Sequence, residues 1–148
     1  MALIFRPVRI TDIEALFDVR AATRDFPLSR ANLASIGITA ESTVADLSNG
    51  KATGWICADD SRVVAFCLGD LATGEVLVLA VLPEYEGRGI GRTLLLSVVE
   101  GLRAAGHARL WLAASSNPAV RAHGFYRRLG WKPTNARAPN GDDILELI

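Results

Sequence analysis

The stretch that decides the fold runs Glu75-Val76-Leu77-Val78-Leu79-Ala80-Val81-Leu82-Pro83-Glu84-Tyr85-Glu86-Gly87-Arg88-Gly89-Ile90-Gly91-Arg92. From Val76 to Leu82 every residue is apolar, so neither face is polar. Glu75–Leu82 therefore reads as a central strand covered on both sides, and Pro83 ends it. Three glycines then alternate at 87, 89 and 91. Leu95, Val98, Val99, Leu102 and Ala105 follow at helical spacing, and Gly106 closes the helix. Glycine permits positive φ and close approach of a ligand to the backbone. The first N–H groups of a helix have no partner within it and carry the positive end of its dipole. A strand, a glycine turn and a helix N-terminus together make a phosphate cradle, and a diphosphate is its natural guest.

Two other phosphate motifs do not fit. G-x-G-x-x-G fails because the sixth position is Arg92 when counted from Gly87 and Leu94 when counted from Gly89. A P-loop needs Gly-Lys-Ser/Thr, which is absent.

Toward the C-terminus, Arg109–Ala114 reads as a strand and Ala119–Leu129 as a helix capped by Gly130. Trp131 starts a short strand, and Ile144–Ile148 is the last one. Toward the N-terminus, strands Gly54–Ala58 and Val63–Leu68 flank the hairpin loop Asp59-Asp60-Ser61-Arg62. Before them a helix runs from a Thr39 cap to Asn49-Gly50. Residues 23–39 are aperiodic, a loop with one short helix, Ser29–Ile36. A helix fading near Ala22 opens with the capping box Thr11 to Glu14, after a first strand signal from Leu3 to Ile10. This order predicts an α/β (α+β) domain over 1–148, a mixed sheet flanked by about four helices.

Composition narrows the function. The chain has 148 residues, half of them hydrophobic and 22% charged, which excludes disorder as the main state. Sixteen basic residues balance sixteen acidic ones, so the basic surplus of a nucleic-acid binder is missing. Cys57 and Cys67 are too few for a disulfide scaffold and would not face each other across the hairpin. They read as buried free thiols of a reducing compartment. Met1–Pro7 lacks the basic flank and apolar run of a signal peptide, and Val76–Leu82 is too short to span a membrane. The expected location is cytoplasmic, with no membrane or nucleic-acid partner. His107, His123 and the two cysteines are scattered, so no metal site is expected.

The segment Val81–Leu95 resembles the coenzyme-A signature of the GNAT superfamily of acyl-CoA N-acyltransferases, Gln/Arg-x-x-Gly-x-Gly/Ala, with Gly89 and Gly91 on its glycines. Glu86 stands where that signature has Gln or Arg. An acid there disfavours a diphosphate unless it turns away or meets Arg88 or Arg92. Phe125-Tyr126-Arg127-Arg128-Leu129-Gly130-Trp131 is similar to the family's aromatic-Tyr-x-x-x-Gly-aromatic element, and Asn117 resembles an asparagine that contacts coenzyme A. The element order agrees along nearly the whole chain.

The resemblance implies a mostly antiparallel sheet splayed between its fourth and fifth strands, with acetyl-CoA in the cleft. The pantetheine arm would pair with Leu79, Ala80 and Val81, where a bulge would free an N–H for the thioester carbonyl. The diphosphate would sit on Glu86, Gly87, Arg88, Gly89, Ile90, Gly91 and Arg92, with Asn117 and Tyr126 as further contacts. Tyr126 is the implied acid for the leaving thiolate. Glu75 or water is the base, since the attacking amine must lose a proton. The implied reaction is direct acetyl transfer to a primary amine in a ternary complex, without a metal. The alternative is a non-catalytic acyl-CoA-binding module. The acceptor, a small molecule or peptide amine, would meet residues 21–37 and 133–143, where Arg24 and Arg30 are candidate anion binders. Tyr85 and Trp131 are expected to pack, and Trp111 to pack or edge the cleft. The family is often dimeric, and Ile144–Ile148 would offer an edge strand for pairing.

Overall fold

The structure, a computed structural model, describes residues 2–24 and 27–148. Met1, and residues 25 and 26 within the segments 21–37 and 23–39, lie outside them. The elements in order are β1 (Leu3–Pro7), α1 (Ile13–Ala21), α2 (Arg30–Ala34), α3 (Ala40–Ser48), β2 (Ala52–Asp59), β3 (Arg62–Asp70), β4 (Val76–Val81), α4 (Ile90–Ala104), β5 (Leu110–Ala114), α5 (Arg121–Arg128), β6 (Lys132–Arg137) and β7 (Asp143–Leu147). The described residues hold five α-helices, the four flanking helices expected and α2, the short helix expected within 23–39.

β1, β2, β3 and β4 form one antiparallel sheet in that order, and β5, β7 and β6 form a second. The expected break between the fourth and fifth strands is therefore present. In β3, Val64 to Leu68 are all buried, which requires cover on both faces. α4 and α1 both pack against this strand. α4 presents Leu94, Leu95, Val98, Val99 and Leu102, all buried, at the helical spacing seen in the sequence. Gly69 lets α4 come close, because a Cβ there would stand 2.8 Å from Val98 Cγ1.

Several expectations need correction. The box opening α1 is not Thr11 to Glu14. Asp12 turns back to accept the Arg9 N–H (2.7 Å), because a 3-10 turn at Ile10–Asp12 precedes the helix. The short strand expected from Trp131 is β6, which begins at Lys132 and pairs with β7. β7 itself lies between β5 and β6, so both its edges are occupied and it offers no edge for a dimer. Cys57 and Cys67 are buried and unlinked, opposite Ala65 and Trp55 respectively. No helix among the described residues is long and apolar enough to cross a membrane.

Candidate active site

β4 and β5 meet at one end only. Glu75 and Trp111 form a parallel bridge. The Trp111 N–H donates to the Gly74 carbonyl (3.2 Å), and its indole Nε1 donates to the Thr73 carbonyl (3.3 Å). His107 Nε2 lies 2.6 Å from the Leu71 carbonyl at the same end. Beyond this clasp the strands part, and the rest of β4 keeps β3 on one side only.

A bulge sets which backbone groups face the opening. Leu68 opposes Val78 and Gly69 opposes Val76, so Leu77 is the extra residue. Before it, the Glu75 carbonyl points to β3 and accepts the Asp70 N–H (2.8 Å). After it, the Leu82 N–H points to β3 and donates to Val64 (3.0 Å). The phase has switched, so Leu79 and Val81 direct their N–H and C=O groups into the cleft. The bulge expected within Leu79–Val81 thus lies two residues earlier. It acts by reversing the alternation rather than by distorting the strand at the binding positions.

A cavity of about 320 Å³ opens here, walled by the end of α1, β4, the glycine turn and α5. Of the residues singled out from sequence, it brings together Leu79, Ala80, Val81, Glu86, Gly87, Gly89, Ile90, Gly91, Arg92 and Tyr126. Gly89 adopts φ +78° as the residue before α4 and supplies no side-chain cap, so the first N–H groups of α4 lack one. A methyl on Gly91 would come 3.5 Å from the Phe125 ring, an ordinary contact. These features fit a diphosphate.

Three expected residues do not line the cavity. Arg88 donates to the Glu84 carbonyl (3.0 Å) and lies over the Tyr85 ring, 5.0 Å from its centre. Asn117 is exposed, and its Oδ1 accepts the Ala119 N–H (3.0 Å) within its own loop. Glu75 sits at the clasped end. Burial, and then the nearby Asp70 charge, raise its pKa above the ordinary carboxylate value. Trp111 belongs to the same clasp and does not edge the cavity.

Glu86 meets neither Arg88 nor Arg92. Its carboxylate, 13% exposed, pairs with Arg24 (3.2 Å) and Arg121 (3.7 Å). Arg30 pairs instead with Glu14 and stacks on Phe17. Tyr85 does more than pack: its hydroxyl donates to Asp59 (2.5 Å), and its ring lines the cavity. Tyr126 is 9% exposed and is held edge-on between Phe125 (5.1 Å) and Trp131 (6.2 Å). Burial pushes its phenol pKa above the usual value, so it keeps its proton. The sequence reading missed Arg20, Phe125 and Arg121, which also line the cavity. Phe125 alone carried a signal, its place in the aromatic motif.

The cleft and the glycine turn are those of an acyl-CoA-dependent transferase fold. Residues 13–131 match the model of the Acetyltransferase (GNAT) family, and the chain belongs to that family. It is 26% identical over 129 residues to the [ribosomal protein bS18]-alanine N-acetyltransferase of Escherichia coli K12, covering 86% of this chain and 79% of that protein. It is 40% identical over 72 residues to the mycothiol acetyltransferase of Beutenbergia cavernae. That match spans 49% of this chain but only 24% of the relative. Among solved structures, the PaiA N-acetyltransferase of Thermoplasma acidophilum in complex with coenzyme A superposes with a TM-score of 0.75. It is 23% identical, and the match covers 99% of this chain and 98% of that one.

Proposed function

We propose that the protein, acting as one N-acetyltransferase domain, moves an acetyl group from acetyl-CoA to a primary amine by direct attack in a ternary complex. One observation carries the reading. A single cavity joins the glycine turn, the open edge of β4 at Leu79 and Val81, and the buried Tyr126 hydroxyl-bearing ring. The diphosphate rests on the N-terminal turn of α4, beside Arg92. A backbone N–H of the open β4 edge binds the thioester oxygen as charge develops there. The amine nitrogen bonds to the carbonyl carbon, the C–S bond breaks, and Tyr126 donates its proton to the departing sulfur. Burial raises the proton affinity of the tyrosine and of a thiolate in the same dry site, so the two stay matched. Glu75 lies outside the cavity, so the amine's proton leaves through water, and water returns a proton to Tyr126.

The named relatives modify an alanine of a ribosomal protein and mycothiol, by their names. This supports an amine acceptor, either a small molecule or a peptide. The test is a thermal melt with acetyl-CoA, with ATP and NAD as controls, followed by thiol release on adding amines. At about 100 times the dissociation constant, a ligand adds about 2.7 kcal/mol. For this size that is a rise of roughly 5–10 °C. A rise with acetyl-CoA and amine-dependent thiol release support the enzyme. A rise without release for any amine supports a binding module instead, and no rise overturns the coenzyme assignment.

A further inference from the structure

Arg20 ends the last full turn of α1, is half-buried, and lines the cavity with Thr23 and the β4 residues Val78 to Val81. Its place is fixed by its own carbonyl, which accepts the Leu28 N–H (3.2 Å) and the Thr23 hydroxyl (3.2 Å). Its guanidinium has no carboxylate and no hydrogen-bond acceptor among the described residues. Of the arginines nearest it in the chain, Arg6 pairs with Asp12, Arg24 with Glu86 and Arg30 with Glu14, while Arg9 is exposed to solvent. Among the described lining residues the acid is Glu86, already engaged by Arg24 and Arg121. Burial lowers the Arg20 pKa from its ordinary value, and no carboxylate among the described residues offsets it. A desolvated, unpaired cation is costly, and an anion arriving from solution relieves that cost.

We propose that Arg20 is a specificity-determining residue that binds a carboxylate carried by the acceptor within a few bonds of its amine. This rests on the acetyltransferase reading above. The coenzyme's diphosphate is placed at the N-terminal turn of α4, whereas Arg20 comes from α1. A cavity of about 320 Å³ leaves little distance between the guanidinium and the β4 edge where the amine attacks. A free amino acid supplies such a carboxylate, and so does a peptide N-terminus followed by an acidic residue.

The experiment compares acceptors in pairs, with rates expressed per neutral amine: glycine against glycinamide, and Ala-Asp amide against Ala-Ala amide. The unmodified protein should favour the carboxylate-bearing member of one pair by at least about tenfold in kcat/KM, mainly through KM. The pair that shows the ratio identifies the source of the carboxylate. Arg20→Gln should bring that ratio to near one, and Arg20→Lys should restore part of it. The melting rise with acetyl-CoA confirms that each variant is folded. Three outcomes overturn the proposal: a ratio near one in the unmodified protein, a ratio unchanged in Arg20→Gln, or a rise confined to the KM for acetyl-CoA. The last would place Arg20 on a coenzyme phosphate. Absence of thiol release with every amine overturns the acetyltransferase reading, and this proposal with it. Release with neutral amines at an unchanged ratio overturns this proposal alone.

Discussion

The carboxylate of Glu86, in the glycine turn, lies 3.2 Å from the guanidinium of Arg24, in the segment after α1. An acid thus stands at the mouth of a phosphate cradle with its charge answered by cations from two other parts of the chain, Arg24 and Arg121. The pairing explains how Glu86 is tolerated beside a diphosphate. Removing the negative charge should take away a repulsion between Glu86 and the phosphates at the mouth of the cradle. Glu86→Gln is expected to bind acetyl-CoA about fivefold more tightly at low salt, equivalent to about 1 kcal/mol for one charge at a few ångströms in water-like surroundings. The gain should shrink at 0.5 M salt. Calorimetric titration at two salt concentrations checks this. Weaker binding would mean that Glu86 chiefly holds the arginines in place.

Tyr126→Phe removes the hydroxyl and keeps the ring between Phe125 and Trp131, so stability should change little. Loss of a general acid lowers kcat by about 100-fold or more. The KM for acetyl-CoA should move far less. Because burial raises the tyrosine pKa, kcat in the unmodified protein should show no falling limb from its ionisation up to pH 10. Steady-state kinetics across that range tests both statements.

Glu75 has its folded-state pKa raised, chiefly by burial. Its ionisation therefore opposes folding. The contribution is neutral below the unfolded value of about 4.3 and becomes unfavourable as pH rises through the folded value. Glu75→Gln mimics the protonated form, so its melting temperature should exceed that of the unmodified protein at pH 7 and match it near pH 4. Since Glu75 lies outside the cavity, the rise in rate with pH should persist in the variant. A flattened profile would restore Glu75 as the base.

Asp12 is the reverse case. It is 6% exposed, accepts two hydrogen bonds from the Arg6 guanidinium (2.8 and 3.0 Å), and takes a third from the Arg9 N–H (2.7 Å). The Arg6 hydrogen bonds, more than any other cause, hold its pKa below the usual carboxylate value. The stability it contributes is present above the unfolded pKa of about 3.9 and is lost as pH falls through the folded value. Asp12→Asn should cost about 1.5–3 kcal/mol at pH 7, read by urea unfolding. The gap should narrow below about pH 3.

Much of this was legible along the chain, because it depends on neighbours within a few residues. The apolar run Val76–Leu82, the alternating glycines and the stripe Leu95 to Leu102 determine a strand, a left-handed turn at Gly89 and a helix that starts beside it, but not the expected cover on both faces of the strand, since Leu77 is exposed. Tyr126 was legible through its aromatic neighbours, which pack within one short helix and the turn that follows. Other properties needed the folded molecule, since they arise where distant segments meet. The bulge at Leu77 depends on register against Gly69, and that register decides that Leu79 and Val81 face the cleft. β7 became interior because β6 and β5 took both its edges, a choice among strands that no single strand encodes. Glu86 found Arg24 and Arg121, 62 and 35 residues away, rather than its neighbours Arg88 and Arg92. Arg20 has no partner among the described residues, in a cavity that exists only once α1 lies against β4. Local spacing set the cradle, and long-range packing set its charges and its open face.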